Sequence, residues 1–100
     1  MMATYDVNTA KHAVLTPDTV DTVNLANPAS FILVSNRTTS GNPIYFTFGD
    51  ATKGVTNPTV GGDDSYIVTI GMTVSLPADG TSAQVKLIST SAQAYSVQVV

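Results

Sequence analysis

The stretch Ala94-Tyr95-Ser96-Val97-Gln98-Val99 decides how this chain is read. Tyr95, Val97 and Val99 alternate with Ser96 and Gln98, and a period of two puts the two sets on opposite faces of a strand. The valines are stiff at their branched carbons, which disfavours a helix and suits a pleated surface. Just upstream, Val85 and Leu87 alternate with Lys86. Ser89-Thr90-Ser91-Ala92-Gln93 joins the two runs, and together they read as a C-terminal antiparallel hairpin.

The same period continues towards the N-terminus. Tyr66-Ile67-Val68-Thr69-Ile70 and Met72-Thr73-Val74-Ser75-Leu76 read as strands broken at Gly71 by a bend or a bulge. Pro77-Ala78-Asp79-Gly80 has turn chemistry, with proline setting φ early and glycine supplying positive φ late. In Ile44-Tyr45-Phe46-Thr47-Phe48, Phe46 and Phe48 share one face and Tyr45 takes the other. Ser30-Phe31-Ile32-Leu33-Val34-Ser35 is almost continuously apolar, as expected of a central strand covered on both faces. Weaker strands fall at 12–15 and 19–25, where Val23 and Leu25 share a face. There are no heptads, no internal repeat and no helical period.

About seven or eight short strands separated by turns predict an all-β fold, an antiparallel β-sandwich that is Ig-like or jelly-roll-like. Phe46, Leu87 and Val97 are expected in its core. The domain is expected to span 11–100, preceded by an N-terminal arm over 1–10 too poor in apolar residues to fold alone. The longest irregular stretch, 49–65, contains Pro58 and Gly61-Gly62, and loops of that length are commonly functional or mobile.

Composition narrows the function. A length of 100 residues suits one domain. Hydrophobic residues make up 43% and charged ones 11%, whereas an ordinary domain carries about 25% charged residues. The basic residues are Lys11, Arg37, Lys53 and Lys86, and all seven acidic residues are Asp. The surface must therefore be built from Thr, Ser, Asn, Gln and Gly. Uncharged groups cost less to desolvate than ions, so such a surface suits a protein that is covered in its working state. A net charge of −3 argues against nucleic acid, which demands clustered cations. The chain has no Cys. Met1-Met2-Ala3-Thr4-Tyr5-Asp6 lacks a basic region followed by an apolar core, and no apolar run nears the roughly 18–20 residues of a membrane helix. A soluble product made in a cytoplasm is expected, with no membrane partner.

Catalytic chemistry finds few residues. His12 is the lone histidine and there is no Glu. It reads as an edge or surface residue, since acid–base catalysis wants a positioned pair. Asp63 and Asp64, with Asp50, are the best candidates for calcium. That ion takes about six to eight oxygens, and no EF-hand spacing is present, so a solvated turn is the stronger reading. The glycines match no phosphate-binding pattern. Asn36-Arg37-Thr38 fits a glycosylation acceptor by accident of sequence, and Asn57-Pro58-Thr59 is excluded by its proline. Tyr45 has two readings of equal weight: an exposed anchor for a partner, or a ring packed under a neighbouring loop. The absence of Trp weakens any sugar-binding platform. No catalytic, cofactor or metal site is expected, and the chain reads as a non-enzyme.

The residues also resemble a known group. Ile44-Tyr45-Phe46-Thr47-Phe48-Gly49-Asp50, followed by Asn57-Pro58-Thr59-Val60-Gly61-Gly62-Asp63-Asp64-Ser65-Tyr66-Ile67-Val68, looks like a pattern in small capsid decoration or head-associated proteins of tailed bacteriophages. Segments 11–25 and 85–97 are similar to the same group. The resemblance implies a virion component on the capsid exterior, synthesised in the host cytoplasm, that binds and stabilises the major capsid shell. The expected partners are the major capsid protein and further copies of the chain, with a trimer favoured. The alternative is a carbohydrate- or receptor-binding module of a phage fibre or tail. Candidate partner-binding residues are Met1, Met2, Tyr5 and Val7 in the arm, Tyr45, and Val55, Asn57 and Val60 in the long loop.

Overall fold

Runs of β-branched and aromatic residues become nine strands in the computed structural model, which describes residues 2–26, 30–78 and 83–100. They are β1 Ala3–Val7, β2 Ala10–Val14, β3 Asp21–Leu25, β4 Phe31–Asn36, β5 Ile44–Asp50, β6 Tyr66–Val68, β7 Thr73–Pro77, β8 Ala83–Ile88 and β9 Ala94–Val99. No helix occurs among the described residues. One sheet has the order β1-β3-β8-β5-β6 and the other β2-β9-β4-β7. Every pairing is antiparallel except that of β1 with β3. The chain is an antiparallel β-sandwich. With β1 set aside, the orders β3-β8-β5-β6 and β2-β9-β4-β7 are those of a jelly roll, which resolves the choice from the Ig-like alternative.

The core lies between the sheets and follows the alternation. Val23, Leu25, Ile44, Phe46, Val85 and Leu87 face it from one side, and Ile32, Val34, Tyr95, Val97 and Val99 from the other. Phe46, Leu87 and Val97 are buried, as expected.

Consecutive strands change sheets at every connection except that from β5 to β6. This corrects the C-terminal hairpin: β8 and β9 lie in different sheets. Their inward residues meet across the core, and a hairpin would have shown the same alternation. The link between them is itself buried at Ser89 and Gln93. Ser89 Oγ donates to the Pro43 carbonyl at 2.8 Å, and Gln93 Nε2 donates to Asn36 Oδ1 at 2.9 Å. The break at Gly71 is likewise a corner between sheets, neither a bend nor a bulge within one strand. Gly71 has a φ of 72°, and its N–H is directed at the carbonyls of Asn36 and Thr38.

Two further expectations change. β4 is an inner strand, but only Ile32, Val34 and Asn36 are buried; Phe31 is exposed and Leu33 half-buried. One face is covered, not both. The arm read over 1–10 belongs to the sandwich from Ala3 onwards. Tyr5 pairs with Val23 and Val7 with Leu25 in β1, and Ala10–Val14 pairs with β9. A strand with few apolar residues holds here because a partner distant in sequence supplies its hydrogen bonds. Asp79 and Gly80 of the expected turn lie outside the described residues.

Candidate functional site

Register places functional side chains on the outer face of the five-stranded sheet. Tyr45 lies opposite Ile67 of β6 on one side and Ile88 of β8 on the other. The three form an apolar row at the sheet's free edge, with Ile67 47% exposed. The next outward row is polar, with Thr47 opposite Lys86 and Lys86 opposite Thr22. The loop 51–59 folds over that second row. Thr47 Oγ1 donates to the Thr56 carbonyl, and Lys86 Nζ donates to Asn57 Oδ1 at 3.2 Å. Val55 sits above Gly49.

Tyr45, Val55 and Asn57 are thus gathered around one face. Tyr45 is half-buried, intermediate between its two expected roles. Val60 is exposed further along the loop. The N-terminal candidates lie at the opposite edge of the sheet. Met2 is exposed, but Tyr5 and Val7 pack against the core, with Lys11 Nζ 4.2 Å from the centre of the Tyr5 ring. Met1 lies outside the described residues. Alternation cannot place Ile67, because Tyr66-Ile67-Val68 is apolar at every position; Ile88 shares the outward side of Lys86, a signal that sequence reasoning passed over.

The titratable candidates stay apart. His12 is exposed on the edge strand β2, its Nδ1 2.6 Å from Ser96 Oγ. Asp50 Oδ1 accepts hydrogen bonds from the Thr52 N–H and Oγ1, both at 2.8 Å. It borders a hollow with Ile32, Pro77 and Ala83, whereas Asp63 and Asp64 border others. Among the described residues, no group of three or more His, Cys, Asp or Glu is placed to hold a metal ion. Asn36 is 1% exposed, with its amide nitrogen directed at the carbonyls of Asn42 and Val68. It is a strut between the sheets, sealed from any modifying enzyme.

One buried acid was invisible in sequence. Asp21 is 2% exposed, and its Oδ2 accepts the Tyr95 hydroxyl at 3.0 Å. Burial pushes the Asp21 carboxyl above its usual range, partly offset by hydrogen bonds from Tyr95 and the Ala3 N–H. Tyr95 is raised in turn by burial and by the Asp21 charge. Because the folded carboxyl holds its proton more tightly than the unfolded one, its contribution to stability is complete below the unfolded value of 3.8. It is lost as pH rises through the folded value. Thermal midpoints followed by circular dichroism between about pH 3 and 7 should fall across that window. The Asp21→Asn protein should lack that fall; an identical pH profile would remove Asp21 as its cause.

Fold and register together define a jelly-roll sandwich. No family model and no curated protein matches the chain. It is similar to the pre-peptidase C-terminal domain of a collagenase from Bacillus anthracis, with a TM-score of 0.50 and 13% identity. That match covers 100% of this chain and 95% of the other. A family GH115 4-O-methyl-α-glucuronidase matches with a TM-score of 0.41 and 16% identity, over 90% of this chain and 14% of the enzyme. At 13% identity the collagenase domain speaks for the β-sandwich and nothing finer.

Proposed function

We propose that this chain works by docking rather than by catalysis, as a structural component of a tailed-phage virion that binds the outside of the major capsid shell. The observation that carries the docking surface is the uncharged row Ile67–Tyr45–Ile88 beside the loop 51–65. Exposed apolar groups clustered in a polar surround are the usual mark of a protein interface. Fully burying an isoleucine contributes about 1.5–3 kcal/mol. A ligand that binds only the assembled shell stabilises it, by about 2.7 kcal/mol per site at a hundredfold excess over Kd. Repetition over many sites, and a trimeric state, add avidity. The non-catalytic reading is supported by the placement of His12 on edge strand β2 of one sheet, against Ser96, while Asp50 ends β5 in the other.

Ile67→Asp places a charge at the exposed outer end of the row without touching the core. The variant should lose co-sedimentation with undecorated shells. Its unfolding free energy should stay within about 0.5 kcal/mol of the parent, as for a surface change. Full-strength sedimentation of the variant would remove the row from the interface. Failure of the parent protein to sediment would overturn the capsid reading itself.

A further inference from the structure

Beyond β6 the five-stranded sheet opens into a groove. β6 pairs only with Ile44, Tyr45 and Phe46, so β5 continues past Phe46 without a strand neighbour on that side. The tether from Thr47 to Thr56 holds the loop above it. The resulting hollow has a volume of about 260 Å³ and is lined by Thr47, Phe48, Thr56, Asp64 and Tyr66. A second hollow of about 220 Å³ lies against Asp63, Asp64, Ser65 and Tyr66. Asp64 and Tyr66 therefore border both.

We infer that this groove binds a neutral pyranose sugar, with Tyr66 as the stacking platform and Asp64 as the acceptor for its hydroxyls. Tyr66 is opposite Phe46 in register, and their rings stack at 5.4 Å and 26°. Phe48 lies against the same tyrosine at 5.7 Å and 47°. Despite this backing, Tyr66 stays 47% exposed. An exposed aromatic ring usually loses rotamer freedom when a ligand lands on it; this one is already held. The absence of Trp weakens a sugar platform; one tyrosine braced on two phenylalanines offers a ring in its place.

The polar side is equally fixed. Ser65 Oγ accepts the Thr59 N–H at 2.9 Å and donates to Asp64 Oδ1 at 3.3 Å. The Gly62 N–H donates to the Thr59 carbonyl at 2.9 Å, and the Ser65 N–H to the Gly62 carbonyl at 3.2 Å. A side chain at residue 62 would come within 2.8 Å of Thr59 Cβ and 2.9 Å of Asp64 Oδ1, so the tight turn that sets Asp64 depends on glycine. A pyranose offers the matching pair of surfaces, an apolar C–H face for the ring and hydroxyls at its rim for a carboxylate. Asp63 and Asp64 together repel an anionic sugar. The open, mixed lining does not suit a purely apolar ligand. The site is smaller than the roughly 300–1,000 Å³ of drug-sized pockets, which fits a single ring. This inference shares the loop 51–65 with the docking reading but not its apolar row, because Tyr66 and Ile67 point to opposite faces of β6.

The test is an amide NMR titration of the full chain with D-glucose, D-galactose, D-mannose and N-acetyl-D-glucosamine, with D-glucuronate as the charged comparison. At least one neutral sugar should saturate shifts at Thr47, Thr56, Asp64 and Tyr66, with Kd in the millimolar range that so few ligand atoms support. Asp64→Asn, an exposed change, and Tyr66→Leu should each weaken binding about tenfold. Tyr66→Phe should retain most of it, and glucuronate should bind more weakly than the neutral sugars. Absence of saturable shifts at these residues for all four neutral sugars would overturn the inference. So would unchanged affinity in Asp64→Asn.

Discussion

Replacing Phe46 by alanine should lower the unfolding free energy by about 3–5 kcal/mol. Phe46 is fully buried on β5, next to the edge strand of the five-stranded sheet, between Tyr66 on β6 and Leu87 on β8. Truncation forfeits the transfer of a large ring and leaves a cavity that two sheets closed on one another fill only in part. It also removes the ring on which Tyr66 stacks. Urea unfolding monitored by circular dichroism measures the loss as a lower midpoint at similar slope. A change under about 1 kcal/mol would mean that the site collapses around the missing ring. Sugar binding should fall in the same variant, since an unbraced Tyr66 must be ordered by the ligand.

Removing residues 2–8 should cost about 3 kcal/mol or more, on the burial of Tyr5 and Val7 together with the loss of a whole strand. An arm reaching out to a neighbour would come away without effect on the domain's own melting temperature. The pairing of β1 with β3 reverses that expectation. Deletion strips one of the two strand partners from Asp21–Leu25, uncovers the core behind Tyr5 and Val7, and removes the Ala3 N–H that supports the Asp21 carboxylate. The newly opened edge also invites association with other chains. Differential scanning calorimetry of the shortened protein should show a lower melting temperature. An unchanged one would show that β1 is dispensable to the sandwich.

Strand identity was legible wherever one face is apolar and the other is not. Val85 and Leu87 against Lys86, and Val97 and Val99 against Gln98, disclosed the inward faces because a two-residue period is a local property of the extended backbone. The same feature let Phe46 and Phe48 be placed together. The polar, charge-poor surface followed from composition alone. What alternation leaves undetermined is the neighbour of each strand. The segment from Val85 to Val99 reads identically as a hairpin or as a crossover between facing sheets, since both point the same residues at one core. Jelly-roll order was decided by contacts distant in sequence, such as β3 on β8 and β4 between β9 and β7. The same holds for the site. Tyr66, Ile67 and Val68 are all apolar, and only the sheet register turns Ile67 outward and sets Tyr66 on Phe46. Asp21 fell in an expected strand with no visible partner until the fold carried the Tyr95 hydroxyl to it. Periodicity is written in neighbouring residues; partner, burial and groove arise only when the two sheets close on each other and desolvate what lies between.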